Sequence, residues 1–152
     1  MAIVYLALGS NLGDRYQYLH KAVDALKANG IQVYKVSTVI ETDPVGGPGQ
    51  GQYLNAVLKA ETRLSPEGLH GITSSIEREL GRVRKVRNGP RVIDIDILLY
   101  DDIKLVSRSL IIPHPRMLER GFVLQPLNEI DPALCASLKY NPIAENIGCG
   151  PP

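Results

Sequence analysis

Tryptophan is absent from this sequence, phenylalanine occurs once, and there are only two cysteines. Each scarcity removes a class of function. A sheet that binds single-stranded RNA stacks bases on several aromatic side chains, and one phenylalanine is a poor platform. Cys135 and Cys149 are too few for a disulfide scaffold, and their spacing matches no metal motif, so free thiols are expected. Net charge is also nearly missing, at +1. No global field holds nucleic acid or an anionic membrane, so any anion site must be a local concentration of Lys and Arg. No apolar run approaches the roughly 20 residues of a membrane helix. The opening MAIVYLALGS lacks a basic region and soon turns polar; no signal peptide is expected, and the expected location is cytoplasmic.

What remains is an ordinary globular composition, 44% hydrophobic and 22% charged, in 152 residues. That length suits a single domain, residues 1–152, with a sizeable core. Residues 2–9 are an apolar run ending at Gly9, a first strand. Asp14 is an N-cap type, and Tyr16, Leu19, Val23 and Leu26 recur at helical spacing up to a stop at Asn29-Gly30. Residues 32–41 alternate like a half-buried strand, and 42–52 are a Gly/Pro-rich loop. Residues 53–62 alternate again. Ser65-Pro66 starts a second helix through Leu69, Ile72, Ile76 and Leu80, closed by Gly81. A basic loop, 82–90, leads to a strand at 91–100, a turn at Asp101-Asp102 and a short strand at 103–106. The rest reads as irregular, with a helical turn or two near 115–127 and little order after 140. The order βαββαβ predicts an α+β, ferredoxin-like core: an antiparallel sheet with both helices packed on one face, plus a C-terminal extension. With the first strand running upward, the ends at Gly9, 42–52, 82–90 and the start of the fourth strand meet at one edge.

That edge gathers the unusual residues. Asp94 and Asp96 stand in the otherwise apolar run VIDIDILLY. Residues two apart on a strand share a face, about 6–7 Å apart at Cα, while Ile93, Ile95, Ile97 and Leu99 are expected to face the core. Adjacent carboxylates repel unless a cation sits between them, and hard oxygens near phosphates suit Mg²⁺. Just before them, Arg82, Arg84, Lys85, Arg87 and Arg91 crowd one loop, and arginine forks match phosphate. A solvated basic loop and an exposed Asp pair are the plainer alternatives to each feature taken alone. His114, fixed between two prolines, is a phosphate donor or a turn histidine. Tyr53 and Asn55 share a face and suit a planar, hydrogen-bonding ring. Phe122 reads as core, and GSNLGD (9–14) as a tight turn with a helix cap.

Together, LGSNLGD (8–14), Tyr53-Leu54-Asn55, Gly81-Arg82-Val83-Arg84, GPRVIDIDIL (89–98), PHPRM (113–117) and RGFVLQPL (120–127) resemble the 6-hydroxymethyl-7,8-dihydropterin pyrophosphokinase family of the folate pathway. The motifs span most of the chain in order. The resemblance implies transfer of pyrophosphate from Mg-ATP to the pterin hydroxymethyl group, releasing AMP. It implies that Asp94 and Asp96 bind two Mg²⁺ ions, with Arg82 and Arg91 as the catalytic clamp. Arg84, Arg91, His114 and Arg120 then match nucleotide-phosphate positions, and Glu77 and Ile97 positions near the nucleoside. The pterin would lie between Tyr53 and Phe122, with Thr42, Val45 and Asn55 along its polar edge. Where the family often has Trp before Gly-Pro-Arg, this chain has Asn88. The expected partners are ATP and hydroxymethyldihydropterin, with no nucleic acid and no membrane, and the expected state is a monomer. A Mg-dependent nucleotide hydrolase and an RNA-binding module are the competing readings of the residues alone.

Overall fold

A computed structural model describes residues 1–43, 52–81 and 92–139. The sheet that organises it is five-stranded and antiparallel, in the order β2-β4-β1-β5, with β3 also paired to β4. The strands are β1 (Ala2–Ser10), β2 (Gln32–Val36), β3 (Ile40–Thr42), β4 (Tyr53–Thr62) and β5 (Asp94–Tyr100). A two-stranded ribbon, β6 (Leu105–Val106) with β7 (Ile111–Ile112), follows the turn at Asp101-Asp102. The helices are α1 (Arg15–Ala28), α2 (Pro66–Glu79), α3 (Gly121–Ile130) and α4 (Pro132–Lys139), with a 3₁₀ turn at Met117–Glu119.

The first two helices begin and end where the sequence predicts. The Asp14 side chain accepts from the Gln17 N–H, and Gly30, at φ 82°, takes the left-handed conformation that closes α1. The Ser65 hydroxyl accepts from the Gly68 N–H, with Pro66 in the first turn of α2. Alternation along the strands then splits the core into two layers. Val4, Leu6 and Leu8 of β1 pack with Leu19 and Leu26 of α1 and Leu69 and Ile76 of α2. Tyr5 of β1, on the opposite face, packs with Val57, Met117, Val123, Leu127 and Ile130. The sheet is thus covered on both sides, by α1 and α2 on one and by α3 on the other. Each of these large side chains contributes about 1.5–3 kcal/mol by leaving water.

Four expectations need correction. The strand 32–41 is broken into β2 and β3, because Ser37 turns inward and exchanges hydrogen bonds with Val57: Ser37 N–H to the Val57 carbonyl and Val57 N–H to Ser37 Oγ, both 2.9 Å. Leu99 does not share a face with Ile97. The register jumps from Leu6↔Ile97 to Tyr5↔Leu99, so Leu98 is a bulge residue and the alternation inverts there. The region 115–127 is far more helical than predicted. α3 carries Pro126 inside it, a residue that weakens any helix prediction, and the helix is held by tertiary packing of its apolar face. Cys135, buried against Leu124, is disulfide-bonded rather than free; spacing along a sequence does not reveal which sulfurs tertiary structure brings together. Order after residue 140 lies outside the described residues. Among the described residues no helix is long and apolar enough to cross a membrane.

Candidate active site

The two carboxylates of β5 open onto a cavity of about 330 Å³ on the α3 side of the sheet. Its floor is β1, where Ala7 and Gly9 present almost no side chain. The register sets Gly9 opposite Asn55 of β4 on one side and Asp94 of β5 on the other, and Ala7 between Val57 and Asp96. One wall carries Tyr53 and Asn55 with Thr42 and Asp43; the other carries Asp94 and Asp96. His114, Arg116, Arg120, Phe122 and Val123 close the remaining side. The volume falls at the small end of ligand pockets, roughly 300–1,000 Å³.

Local structure fixes each group. Thr42 and Tyr53 are cross-strand partners, and Asn55 Nδ2 donates to Thr42 Oγ1 at 2.6 Å, which orients the amide. The His114 N–H donates to the carbonyl of Leu98, the bulge residue, at 2.9 Å. The same bulge that turns Leu99 over therefore anchors the Pro-His-Pro segment beside Asp96. Buried Met117 pins the following 3₁₀ turn. The Arg116 N–H donates to His114 Nδ1 at 3.2 Å, so the ring proton is on Nε2. Burial lowers the His114 pKa; the nearby Asp96 pulls it up, and Arg120 and Arg116 push it down again. The ring is accordingly neutral near pH 7 and is a hydrogen-bond donor through Nε2. The Arg120 guanidinium lies 5.5 Å from the centroid of the Phe122 ring, a cation–π arrangement that holds both residues at the start of α3.

Of the residues singled out in the sequence, Thr42, Tyr53, Asn55, Asp94, Asp96, His114, Arg120 and Phe122 line one cavity. Glu77 and Ile97 do not. Ile97 is in the core on the α1/α2 side. Glu77 is buried on α2, and its carboxylate accepts the Ile95 N–H at 2.8 Å, from the margin of β5 that faces away from β1. Val45, Arg82, Arg84 and Arg91 lie outside the described residues, as do the Gly-rich and basic loops to which they belong. Arg116 and Asp43 were not singled out, yet both line the cavity. The available signals were position: Arg116 follows the Pro-His-Pro triplet, and Asp43 adjoins Thr42.

Among the described residues no group of three or more His, Cys, Asp and Glu gathers around one point. The donor set is a carboxylate pair. That is too sparse for an all-protein cage, but it fits Mg²⁺, which keeps several waters and takes phosphate oxygens beside one or two carboxylates. A ring-sized recess next to an acidic pair, flanked by a neutral imidazole and arginines, is suited to bringing a polyphosphate up to a planar acceptor.

A model of the family described as 7,8-dihydro-6-hydroxymethylpterin-pyrophosphokinase (HPPK) matches residues 5–132. The chain belongs to this family. It is 52% identical over 129 residues to the 2-amino-4-hydroxy-6-hydroxymethyldihydropteridine pyrophosphokinase of Bacillus subtilis, covering 84% of this chain and 77% of that one. Against the enzyme of the same name from Aquifex aeolicus it is 43% identical over 145 residues, 95% of this chain and 90% of that one. A crystal structure of Plasmodium falciparum HPPK-DHPS matches 86% of this chain and 40% of its own, with a TM-score of 0.61 at 16% identity. That likeness concerns the fold alone. Membership of the HPPK family thus rests on sequence over most of the chain.

Proposed function

We infer that this chain transfers the pyrophosphoryl group of ATP to the hydroxymethyl oxygen of 6-hydroxymethyl-7,8-dihydropterin in folate biosynthesis. The observation that carries the reading is one cavity with Tyr53, Asn55 and Phe122 at one end and Asp94 and Asp96 at the other. The acceptor oxygen bonds to the β-phosphorus, the bond from that phosphorus to the α-bridging oxygen breaks, AMP leaves, and the hydroxyl proton is released. Such transfer needs positioning and charge stabilisation more than a protein nucleophile.

In this reading Tyr53 and Phe122 hold the ring, and Asn55 with Thr42 reads its polar edge. Asp94 and Asp96 hold Mg²⁺, two ions by family resemblance, which when bound offsets phosphate charge. His114 donates to a phosphate oxygen through Nε2, and Arg120 places its cation beside the leaving phosphate. Arg82, Arg84 and Arg91 complete the clamp, with Val45 on the pterin side. Glu77 and Ile97 act near the nucleoside indirectly: Glu77 steadies the margin of β5, and Ile97 offers its backbone. The strand order, with α1 and α2 on one face, supports counting the core as ferredoxin-like, β2 and β3 together making one interrupted strand. The enzyme is proposed to work as a cytoplasmic monomer.

The test is AMP formation from ATP and magnesium, with and without the hydroxymethyldihydropterin. The expected result is one AMP per pterin diphosphate and none without acceptor. AMP or ADP released at the same rate without pterin would identify a hydrolase instead. Salt-sensitive RNA binding with no turnover would identify an RNA-binding module.

A further inference from the structure

Gly9 needs an explanation that its backbone does not supply. It lies within β1, and among the described residues the glycines at positive φ are Gly13, Gly30 and Gly81. Any residue adopts the conformation Gly9 has, and glycine in a strand interior weakens the strand. Glycine is therefore retained there for space. A Cβ at this position would stand 3.2 Å from Asn55 Oδ1 and 3.4 Å from Tyr53 Cδ1. Both neighbours line the cavity, and Asn55 is already held by Thr42.

The register gives that space its meaning. Gly9 is the residue between Asn55 and Asp94 across the sheet. Adjacent strands are about 4.8 Å apart, so the ring-binding and acidic walls stand roughly 10 Å from each other, with only Gly9 between them. We propose that Gly9 is a specificity-determining residue, the bare floor over which the acceptor's hydroxymethyl arm reaches from the ring site to the phosphate site. The inference rests on the pyrophosphokinase reading and adds to it where the two subsites join. A methyl group at residue 9 occupies the path of the arm while leaving the acidic wall intact. Ala7, the next floor residue, lies between Val57 and Asp96 and so belongs to the acidic side.

Gly9→Ala is the test, made on the full chain. Three ligands are titrated by calorimetry: a non-hydrolysable ATP analogue with magnesium, a pterin with the 6-hydroxymethyl group, and a pterin without it. Steady-state AMP formation and thermal unfolding are measured alongside. The expected result is a fall of about tenfold or more in kcat/KM for the acceptor, the scale set by one misplaced methyl group. Binding of the hydroxymethylated pterin should fall with it. The nucleotide analogue and the unsubstituted pterin should bind within about threefold of the parent, and the variant should remain folded, with a melting temperature within a few degrees of the parent's. Acceptor kinetics within about twofold of the parent would overturn the proposal. So would an equal loss of both pterins, with or without loss of the nucleotide analogue, which would mark a general disturbance of Asn55 and Tyr53. Failure of the parent chain itself to form AMP with acceptor present would instead count against the pyrophosphokinase reading.

Discussion

Replacing Asp96 by asparagine should make the protein more stable and nearly inactive at once. Asp94 and Asp96 project from one face of β5 into the same cavity, with charges roughly 6 Å apart by strand geometry. Two unit charges at that distance repel by about 2.8 kcal/mol at an effective dielectric of 20 and by about 0.7 kcal/mol in water. Both residues are partly exposed, so the cost lies between these limits, and Arg116 and Arg120 on the same cavity reduce it further. Asp96→Asn should therefore gain about 1 kcal/mol, a rise of about 2–4 °C in Tm for a domain of this size. The same change halves the carboxylate pair, and turnover should fall by at least about 100-fold. Differential scanning fluorimetry with and without magnesium and an ATP analogue reads both effects. The parent should gain stability from the metal–nucleotide pair, and the variant should gain much less. A variant that melts lower than the parent, or keeps parental turnover, would refute the electrostatic reasoning.

Four other outcomes are expected. Tyr5→Phe removes the hydroxyl that donates to Asp131, the residue whose carboxylate also caps α4 through the Leu134 N–H and lies 3.9 Å from Lys59; urea unfolding at pH 7 should show a loss of about 1.5–3 kcal/mol. Burial raises the Asp131 pKa, but the bonds from Tyr5 and Leu134 and the nearby lysines outweigh it and the net shift is downward; that stability is present above the unfolded pKa near 4 and lost as pH falls, so the parent and Tyr5→Phe should converge in strong acid. Among the described residues Ser10 Oγ is buried without a hydrogen-bond partner, so Ser10→Ala should be neutral or stabilising by up to about 1 kcal/mol in the same assay. His114 titrates below its ordinary value because it is buried; its folded form binds fewer protons than the unfolded chain, so stability should fall as pH drops below about 6.5, and His114→Asn should flatten that fall.

How much of this was legible beforehand follows from the range of the interactions. Asp14, Ser65-Pro66 and Gly30 act within one turn, and their helices lie where the sequence puts them. β4 spans residues 53–62 as alternation predicts. Asp94 and Asp96 share a face because strand geometry alone requires it. What was missed depends on partners far along the chain. Ser37 breaks a strand because Val57 receives it, 20 residues away. Leu98 bulges because β1 shifts register against β5. α3 is recognisable only once a sheet face exists for Val123 and Leu127 to cover. Arg116 and Asp43 reach the cavity through that same long-range packing, and their only local signal is position, beside the Pro-His-Pro triplet and beside Thr42. In the sequence Gly9 marks the end of a strand, and its place between Asn55 and Asp94 appears only with the register.

The central claim is that Asp94 and Asp96 grip magnesium between a polyphosphate and a ring held by Tyr53, Asn55 and Phe122. A crystal structure with a non-hydrolysable ATP mimic, magnesium and the pterin addresses it directly. The account predicts carboxylate oxygens of both residues about 2.1 Å from magnesium, phosphate oxygens completing the shell, and the hydroxymethyl group above Gly9. Carboxylates turned away from the metal, or a triphosphate bound elsewhere on the chain, would contradict it.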